Sequence, residues 1–252
     1  MRRVALVVAA LAVSTSVADA TARAPSTRPP QLTLSERCLN RVERRQTLRF
    51  GAADGTRLVG VLLGKGKKGV VLAHQSSGNL CQWFPYARTL ARRGFRVFAF
   101  DFRTCGASDI PRVQANARRF DLDVVAAVNV LRRRGATSIV LAGGSLGASA
   151  VVVVASRLEP QVQGVISLSS PQQAFDLDVA AAAGQLQAPV LFVAAEDDGH
   201  FADDARQLYG RAASPDKQLI VLSAGGHGTS LPRLPVVRDA LDAFFTAHSS
   251  AG

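Results

Sequence analysis

The chain has 252 residues, of which 48% are hydrophobic and 19% charged, a composition that predicts one well-packed globular domain and excludes a collagen-like or wholly disordered chain. The formal net charge is +11, but the basic residues are scattered through helix-like segments and form no cluster with aromatic residues. We therefore expect an arginine-rich, solvated surface with weak attraction for anionic envelopes, and no specific nucleic-acid partner.

The N-terminus has the pattern of a secretory signal peptide over residues 1–20. Arg2 and Arg3 precede an apolar run over 4–13, and residues 18–20 read Ala-Asp-Ala, a small-x-small cleavage site. A second such site lies at 22–24. A transmembrane anchor is the alternative, but the run is shorter than the roughly 20 residues that span a bilayer. We expect an exported, secreted or cell-envelope protein without a transmembrane segment after cleavage.

Residues 21–45 are predicted to be a flexible N-terminal segment. Pro25, Pro29 and Pro30 stand among Ser, Thr and Arg without apolar periodicity. The folded domain is therefore predicted over 46–248.

Short β-branched runs alternate with helical patterns from residue 46 onward, which indicates a mostly parallel sheet with helices on both faces. The first two strands flank an Ala-Asp-Gly turn at 53–55, which is typical of an antiparallel hairpin. Eight strands are expected, over 46–50, 57–63, 69–73, 96–102, 138–142, 162–168, 189–194 and 218–222. Helices are expected over 83–93, 121–134, 146–158, 176–186, 202–212 and 235–247.

Residues 143–147 read Gly-Gly-Ser-Leu-Gly between a predicted strand and a predicted helix. As a bare pattern G-x-S-x-G is weak evidence, since a serine that merely caps the helix looks the same. The placement favours a nucleophile, because a serine on a tight strand-to-helix turn projects at the carboxyl edge of the sheet and small neighbours permit the turn. We predict that Ser145 is a catalytic nucleophile.

A serine nucleophile needs a base, normally histidine, and a carboxylate that orients it. Among the four histidines, His227 directly follows the last predicted strand, where an elbow serine would meet its base. Three consecutive carboxylates follow the strand over 189–194: Asp198 is our choice for the acid, Asp197 the second and Glu196 the third. The chain order Ser145, Asp198, His227 fits the Ser…Asp…His order.

From residue 46 to 247 the sequence resembles the α/β-hydrolase superfamily. VVLAHQSSGNLCQWFPYARTLARRGFRVFAFDFRTCGASD is similar to the family's strand, oxyanion loop, first helix and Asp-x-Arg-Gly-x-Gly-x-Ser segment, and PVLFVAAEDD and GGHGTS are similar to its acid and histidine loops. The chain looks closest to small capless members of the dienelactone-hydrolase or carboxylesterase type, although the former commonly carry cysteine at the elbow. The resemblance implies an eight-stranded α/β-hydrolase sheet, no sizeable cap domain and serine-hydrolase chemistry.

Two positions depart from the family pattern: residues 74–75 are His-Gln instead of His-Gly, and 103–104 are Arg-Thr instead of Arg-Gly. The first departure lies in the loop that contributes to the oxyanion hole. In the family, the hole combines the backbone N–H of the residue after the nucleophile, here Leu146, with a backbone N–H from this loop. The resemblance assigns the second donor to Ser76, with Gln75 as the alternative.

The sequence also offers several side chains near these loops that could be structural or could line the site. His74 is expected to be structural, and His200 to be a surface or site-lining residue. The candidates for lining a substrate pocket, any of which could equally be packing residues, are Gln75, Trp83, Phe84, Phe201 and Leu231.

Three cysteines in an exported protein permit one disulfide and leave one thiol. Their spacings match no zinc or iron–sulfur pattern, so no metal site built on cysteine is expected. The expected acyl-enzyme chemistry needs neither a metal nor an organic cofactor. Resemblance to exported relatives favours Cys38–Cys81, and Cys81–Cys105 is the rival pairing.

The sequence thus predicts a secreted, monomeric serine hydrolase that cleaves small-molecule carboxylic esters through an acyl-enzyme. Peptide hydrolysis or acyl transfer would use the same triad. A non-catalytic binding protein on the same fold is the alternative from another class.

Overall fold

The strands of the chain form one large sheet and one short hairpin. The computed structural model describes residues 37–249, so the predicted signal peptide, its cleavage sites and residues 21–36 lie outside the described residues. In chain order the strands are β1 (Thr47–Gly51), β2 (Arg57–Leu63), β3 (Lys68–Ala73), β4 (Arg96–Asp101), β5 (Ser138–Gly144), β6 (Gly164–Leu168), β7 (Gln173–Ala174), β8 (Leu177–Asp178), β9 (Val190–Ala195) and β10 (Lys217–Leu222).

Within the described residues, the large sheet has eight strands in the spatial order β1-β2-β4-β3-β5-β6-β9-β10. β1 pairs antiparallel with β2, and β2 with β4, while all other neighbours are parallel. Parallel neighbours need long crossover connections, which the intervening helices provide. The predicted eight-stranded, mostly parallel sheet is confirmed, including the antiparallel hairpin at its start.

Helices cover both faces of this sheet. In chain order they are α1 (Arg41–Arg45), α2 (Phe84–Arg92), α3 (Phe120–Arg133), α4 (Leu146–Ala155), α5 (Val179–Ala183), α6 (Phe201–Arg211) and α7 (Pro235–His248). Buried residues of α3, α4, α5 and α6 pack on one face, and those of α2 and α7 on the other. Every residue of α4 is buried, as its all-round apolar sequence predicts. No helix of residues 37–249 has the length and apolar character needed to span a membrane.

The described chain is ordered before residue 46, earlier than the predicted boundary. The Asn40 side chain caps α1 by accepting hydrogen bonds from the backbone of the helix, and the Glu43 carboxylate accepts one from the backbone N–H of Asn40. Glu43 also accepts two hydrogen bonds from Arg88 of α2, at 2.6 and 2.7 Å. The predicted disulfide Cys38–Cys81 is present, with the two Cα atoms 5.6 Å apart. These contacts hold residues 38–45 against α2 and against the loop that precedes α2.

The helix expected over 176–186 is wrong in its first part. Residues 173–178 form the antiparallel hairpin of β7 and β8, and only Val179–Ala183 is helical. Asp178 accepts a hydrogen bond from the backbone N–H of Ala181 at 2.9 Å. Asp178 is therefore the N-cap of α5, at a position that the sequence pattern had placed inside the helix. Between β6 and β9 the described chain holds only this hairpin and α5, which leaves no room for a sizeable cap domain.

A buried ion pair holds the loop after β4. The Arg103 guanidinium donates to Asp123 on α3 at 2.6 Å, and both side chains are fully buried. It also donates to Asp54 in the β1–β2 turn at 2.7 Å. Arg103 therefore connects the loop after β4 to α3 and to the β1–β2 turn.

Candidate active site

Ser145 lies on a sharp turn between β5 and α4. Its backbone has φ 51° and ψ −115°, a left-handed conformation that costs a non-glycine residue energy and is found mostly at functional sites. Only glycines fit beside it: a Cβ at Gly143 would lie 2.2 Å from the carbonyl carbon of Gly147, and one at Gly147 would lie 2.3 Å from the carbonyl oxygen of Ala73. The predicted strand–serine–helix turn is therefore built by close backbone packing.

The loop that carries His227 packs against this turn. A Cβ at Gly144 would lie 2.9 Å from the backbone nitrogen of Thr229, and a Cβ at Gly228 would lie 3.5 Å from the backbone nitrogen of Ser145. Residues 228 and 229 directly follow His227. The fold thus packs the turn of Ser145 against the residues that directly follow His227, which lies 82 positions later in the chain (227 − 145).

His227 and Asp198 are joined by a hydrogen bond. The Nδ1 atom of His227 lies 2.8 Å from Oδ2 and 3.0 Å from Oδ1 of Asp198. Since a carboxylate only accepts, the proton sits on Nδ1, which leaves Nε2 as the basic nitrogen. The ring of Phe201 lies against the imidazole, with the centroids 4.5 Å apart. Phe201, a predicted pocket candidate, therefore contacts the histidine directly.

The carboxylates of residues 196–198 have different hydrogen-bond partners in the structure. The sequence alone could not tell which of them orients the histidine. Asp197 accepts hydrogen bonds from the backbone N–H groups of Gly225 and Gly226, at 3.0 and 3.3 Å, and so holds the start of the histidine loop. Glu196 pairs with Arg206 on α6. Among the three acids, Asp198 alone contacts His227 within the described chain. His200 is exposed, lies 3.3 Å from Asp204 and stacks on the ring of Phe201 at a centroid distance of 4.3 Å.

Two backbone N–H groups remain free near the serine. Neither that of Leu146, the first residue of α4, nor that of Ser76 has a hydrogen-bond acceptor among residues 37–249. The N–H of Gln75, the alternative donor, is occupied by the side-chain oxygen of Gln82 at 3.1 Å. The free pair is the one that the resemblance assigned to the oxyanion hole.

His74 fixes the direction of the peptide group between residues 75 and 76. Its Nδ1–H donates to the carbonyl oxygen of Gln75 at 2.7 Å, and its Nε2 accepts from the backbone N–H of Phe102 at 3.0 Å. In a trans peptide the N–H points opposite to the C=O, so this bond also aims the N–H of Ser76. The side chain is fully buried, and burial lowers the pKa of His74 to about 4.

The side chain of Gln75 connects the oxyanion loop to the histidine loop. Its Oε1 accepts from the backbone N–H of Thr229 at 3.0 Å and from the Thr229 hydroxyl at 2.9 Å. A Cβ at Gly228 would lie 2.6 Å from the same oxygen. The residue that replaces the family's glycine thus fills space beside Ser145 and contributes a contact between two loops of the site.

A cavity of about 250 Å³ adjoins these loops. Its lining residues, on α2, α7 and the loops before them, are Gln82, Trp83, Pro85, Tyr86, Thr89, Thr229, Pro232, Arg233 and Arg238. Trp83 is only 1% exposed, and its indole N–H donates to the carbonyl oxygen of Ala73 at 2.8 Å. Phe84 and Leu231 are fully buried in the core. Trp83 therefore contributes both to the core and to the cavity, whereas those two are packing residues.

A further contact of Asp198 was not predicted. Ser169, the residue after β6, donates its hydroxyl hydrogen to Oδ2 of Asp198 at 2.7 Å. In the sequence it is one of three serines in Ser-Leu-Ser-Ser at 167–170, and nothing in that pattern distinguishes it. Within the described chain, no three His, Cys, Asp or Glu side chains are grouped as metal ligands.

Comparison with known proteins gives a match to a fold family and matches to a curated relative. Residues 69–184 match the family model of the alpha/beta hydrolase fold. The chain is 31% identical over 122 residues to the uncharacterized protein YfhR of Escherichia coli K12, a match that covers 44% of this chain and 42% of YfhR. This chain therefore spans less than half the length of that curated relative.

Solved structures match over more of the chain. The Pyrococcus furiosus esterase Pf2001 aligns with a TM-score of 0.70 and 18% identity, over 81% of this chain and 92% of that one. The esterase EaEST from Exiguobacterium antarcticum aligns with a TM-score of 0.68 and 16% identity, over 79% and 98%. At these identities the likeness concerns the fold.

Proposed function

We propose that this chain, which has the fold of the α/β hydrolases, is a serine hydrolase that cleaves carboxylic esters of small molecules through an acyl-enzyme. One observation carries the proposal: Ser145, in a strained turn at the carboxyl edge of the sheet, packs against the loop of a histidine that is hydrogen-bonded to Asp198. A nucleophile, a base and an orienting acid are the three groups that this chemistry needs.

In the proposed reaction, Nε2 of His227 takes the proton from the Ser145 hydroxyl as its oxygen attacks the ester carbonyl. The free N–H groups of Leu146 and Ser76 hold the negative oxygen that forms, and Asp198 stabilises the imidazolium. The imidazolium then gives its proton to the departing alkoxide. A water molecule, deprotonated by the same histidine, attacks the acyl-serine and releases the carboxylic acid and the free enzyme.

The connection between β6 and β9 agrees with a small substrate. The cavity of about 250 Å³ beside Thr229 is lined by none of Ser145, Asp198 and His227, so its volume sets no limit on the substrate. Between β6 and β9 the described chain holds no sizeable domain that could cover a long acyl chain. The structural neighbours named above are called esterases, which agrees with this choice of substrate class.

The location and assembly of the protein belong to the same proposal. The signal-peptide pattern over 1–20 and a disulfide between Cys38 and Cys81 support export. We propose a secreted or cell-envelope monomer. N-terminal sequencing of the protein recovered outside the cytoplasm tests export and is expected to begin at residue 21; recovery of an intact Met1 contradicts it. Light scattering tests the monomer, and a dimeric mass contradicts it.

Hydrolysis of p-nitrophenyl acetate tests the activity. Wild-type protein should release p-nitrophenol with saturation kinetics, and Ser145→Ala should reduce kcat/KM by about 10⁴-fold or more. Ser156→Ala, a matched change at the far end of α4 where the hydroxyl bonds only to a backbone carbonyl, should leave the rate unchanged. Equal rates for wild type and Ser145→Ala would exclude the proposal. A panel that includes peptide substrates and acyl acceptors other than water then distinguishes an esterase from a peptidase or an acyltransferase.

A further inference from the structure

Ser169 makes a second contact at the candidate site. Its hydroxyl donates to Oδ2 of Asp198 at 2.7 Å and accepts from the backbone N–H of Gly228 at 3.1 Å. Gly228 directly follows His227, and the Ser169 side chain is fully buried. One hydroxyl group therefore touches both the acid and the backbone next to the histidine.

The direction of this hydroxyl group is determined by its two partners. A backbone N–H can only donate and a carboxylate can only accept, so the oxygen of Ser169 receives the proton of Gly228 and its own proton points at Asp198. Oδ2 of Asp198 then receives two hydrogen bonds, from Ser169 and from Nδ1 of His227 at 2.8 Å. Ser169 therefore adds a second donor to the one that His227 Nδ1 presents to both oxygens of the carboxylate, and so restricts the rotation of the carboxylate further.

The backbone of Ser169 is held in an unfavourable conformation. Its φ is 50°, in the left-handed region that few residues other than glycine adopt. Its N–H donates to the carbonyl oxygen of Val193 on β9 at 2.8 Å, which continues the pairing of β6 with β9 and keeps the residue in place. Strain of this kind, in a residue whose side chain points at a proposed catalytic group, suggests a functional constraint.

We propose that Ser169 is a positioning residue that couples Asp198 to the histidine loop and so holds the imidazole of His227 in its productive orientation. This inference rests on the proposed function. Within the described chain no hydrogen bond joins Ser169 to Ser145, Leu146 or Ser76, so its effect on the reaction runs through Asp198 and His227.

Substitution of Ser169 tests the role through the split between kcat and KM. With p-nitrophenyl acetate, Ser169→Ala should lower kcat about 10- to 100-fold, the range found for outer partners that orient metal-ligating histidines, and should change KM less than twofold. The control is Ser170→Ala: this neighbouring serine is also buried, but its hydroxyl contacts Ser149 and the carbonyl of Pro171. It should keep the wild-type kcat.

A second pair of variants separates the hydrogen bond from packing. Ser169→Thr and Ser169→Val add the same volume and the same β-branched strain at φ 50°, but only threonine keeps the hydroxyl. The Thr variant should be at least about tenfold more active than the Val variant at equal melting temperatures. Equal kcat values for these two, or a wild-type kcat for Ser169→Ala, would overturn the proposal.

The orientation of His227 can be measured without any turnover. The proton of the His227 Nδ1–Asp198 hydrogen bond gives a far-downfield NMR signal, which should persist in wild type and Ser170→Ala and should shift or broaden away in Ser169→Ala. If no ester is hydrolysed by wild type but the signal behaves as expected, the proposed function fails and the positioning role stands. An unchanged signal in Ser169→Ala would refute the role itself.

Discussion

Acidification should destabilise the fold through His74. Both imidazole nitrogens are already used: Nδ1–H donates to the carbonyl of Gln75, and Nε2 accepts from the N–H of Phe102. Protonation of Nε2 would place two donors against each other in a site with no exposed surface. Burial therefore lowers the pKa of His74 from 6.5 to about 4.

The size and sign of the effect follow from this shift. Because the unfolded chain binds the proton more readily than the folded one below pH 6.5, stability is fully present above pH 6.5 and falls as the pH drops toward 4. A shift of about 2.5 units corresponds to roughly 3 kcal/mol of unfolding free energy, of which about 2–3 kcal/mol is lost by pH 4.5.

Urea unfolding at pH 7.5, 6.0, 5.0 and 4.5 measures this loss. The single tryptophan, Trp83, is buried and provides a fluorescence signal. His74→Gln keeps a donor and an acceptor but does not titrate, so the difference between its pH profile and that of wild type isolates His74 from the carboxylates. His200→Gln, at an exposed histidine, should follow wild type. Parallel profiles for wild type and His74→Gln would refute the reasoning.

Three further changes test the packing of the fold. Asp123→Ala leaves a buried guanidinium without its main partner, and should lower the unfolding free energy by about 3–5 kcal/mol in urea; a loss below about 1 kcal/mol contradicts this. Replacing Cys38 and Cys81 by alanine opens a loop of 43 positions, which should cost about 4 kcal/mol, and an unchanged Tm would argue against it. Gly147→Ala forces a Cβ to within 2.3 Å of a backbone oxygen, whereas Gly210→Ala on α6 meets no atom within 4 Å; circular dichroism should show a lower Tm for the first alone, and equal values would contradict the packing described.

Local pattern predicted most of the sheet, because buried strands are short apolar runs between turn signals. β2 begins and ends at the predicted residues, Arg57 and Leu63. β5 is two residues longer than expected, since Gly143 and Gly144 read as a turn but pair with Ser167 and Leu168 of β6. The hairpin of β7 and β8 was missed because an alanine-rich stretch favours helix and only tertiary packing decides where it begins.

The candidate site was predictable where its residues follow the order of the strands. Ser145 directly follows β5, while Asp198 and His227 lie three and five residues beyond the ends of β9 and β10. Parallel strands bring their carboxyl ends to one edge. The sequence could not identify Asp198 as the acid in preference to Asp197 or Glu196. The three differ in their hydrogen-bond partners, and these depend on the fold. The role proposed for Ser169 could not be predicted from the sequence. It depends on a left-handed φ at this residue and on hydrogen bonds to residues 29 and 59 positions away.

Covalent labelling tests the central claim most directly. A fluorophosphonate reacts with an activated serine and is held as an adduct, so intact-mass and peptide mass spectrometry report which residue is the nucleophile. We expect one adduct per chain on Ser145, its loss in Ser145→Ala, and much slower labelling in His227→Gln. An unlabelled wild-type protein, or equal labelling of Ser145→Ala, would contradict the account.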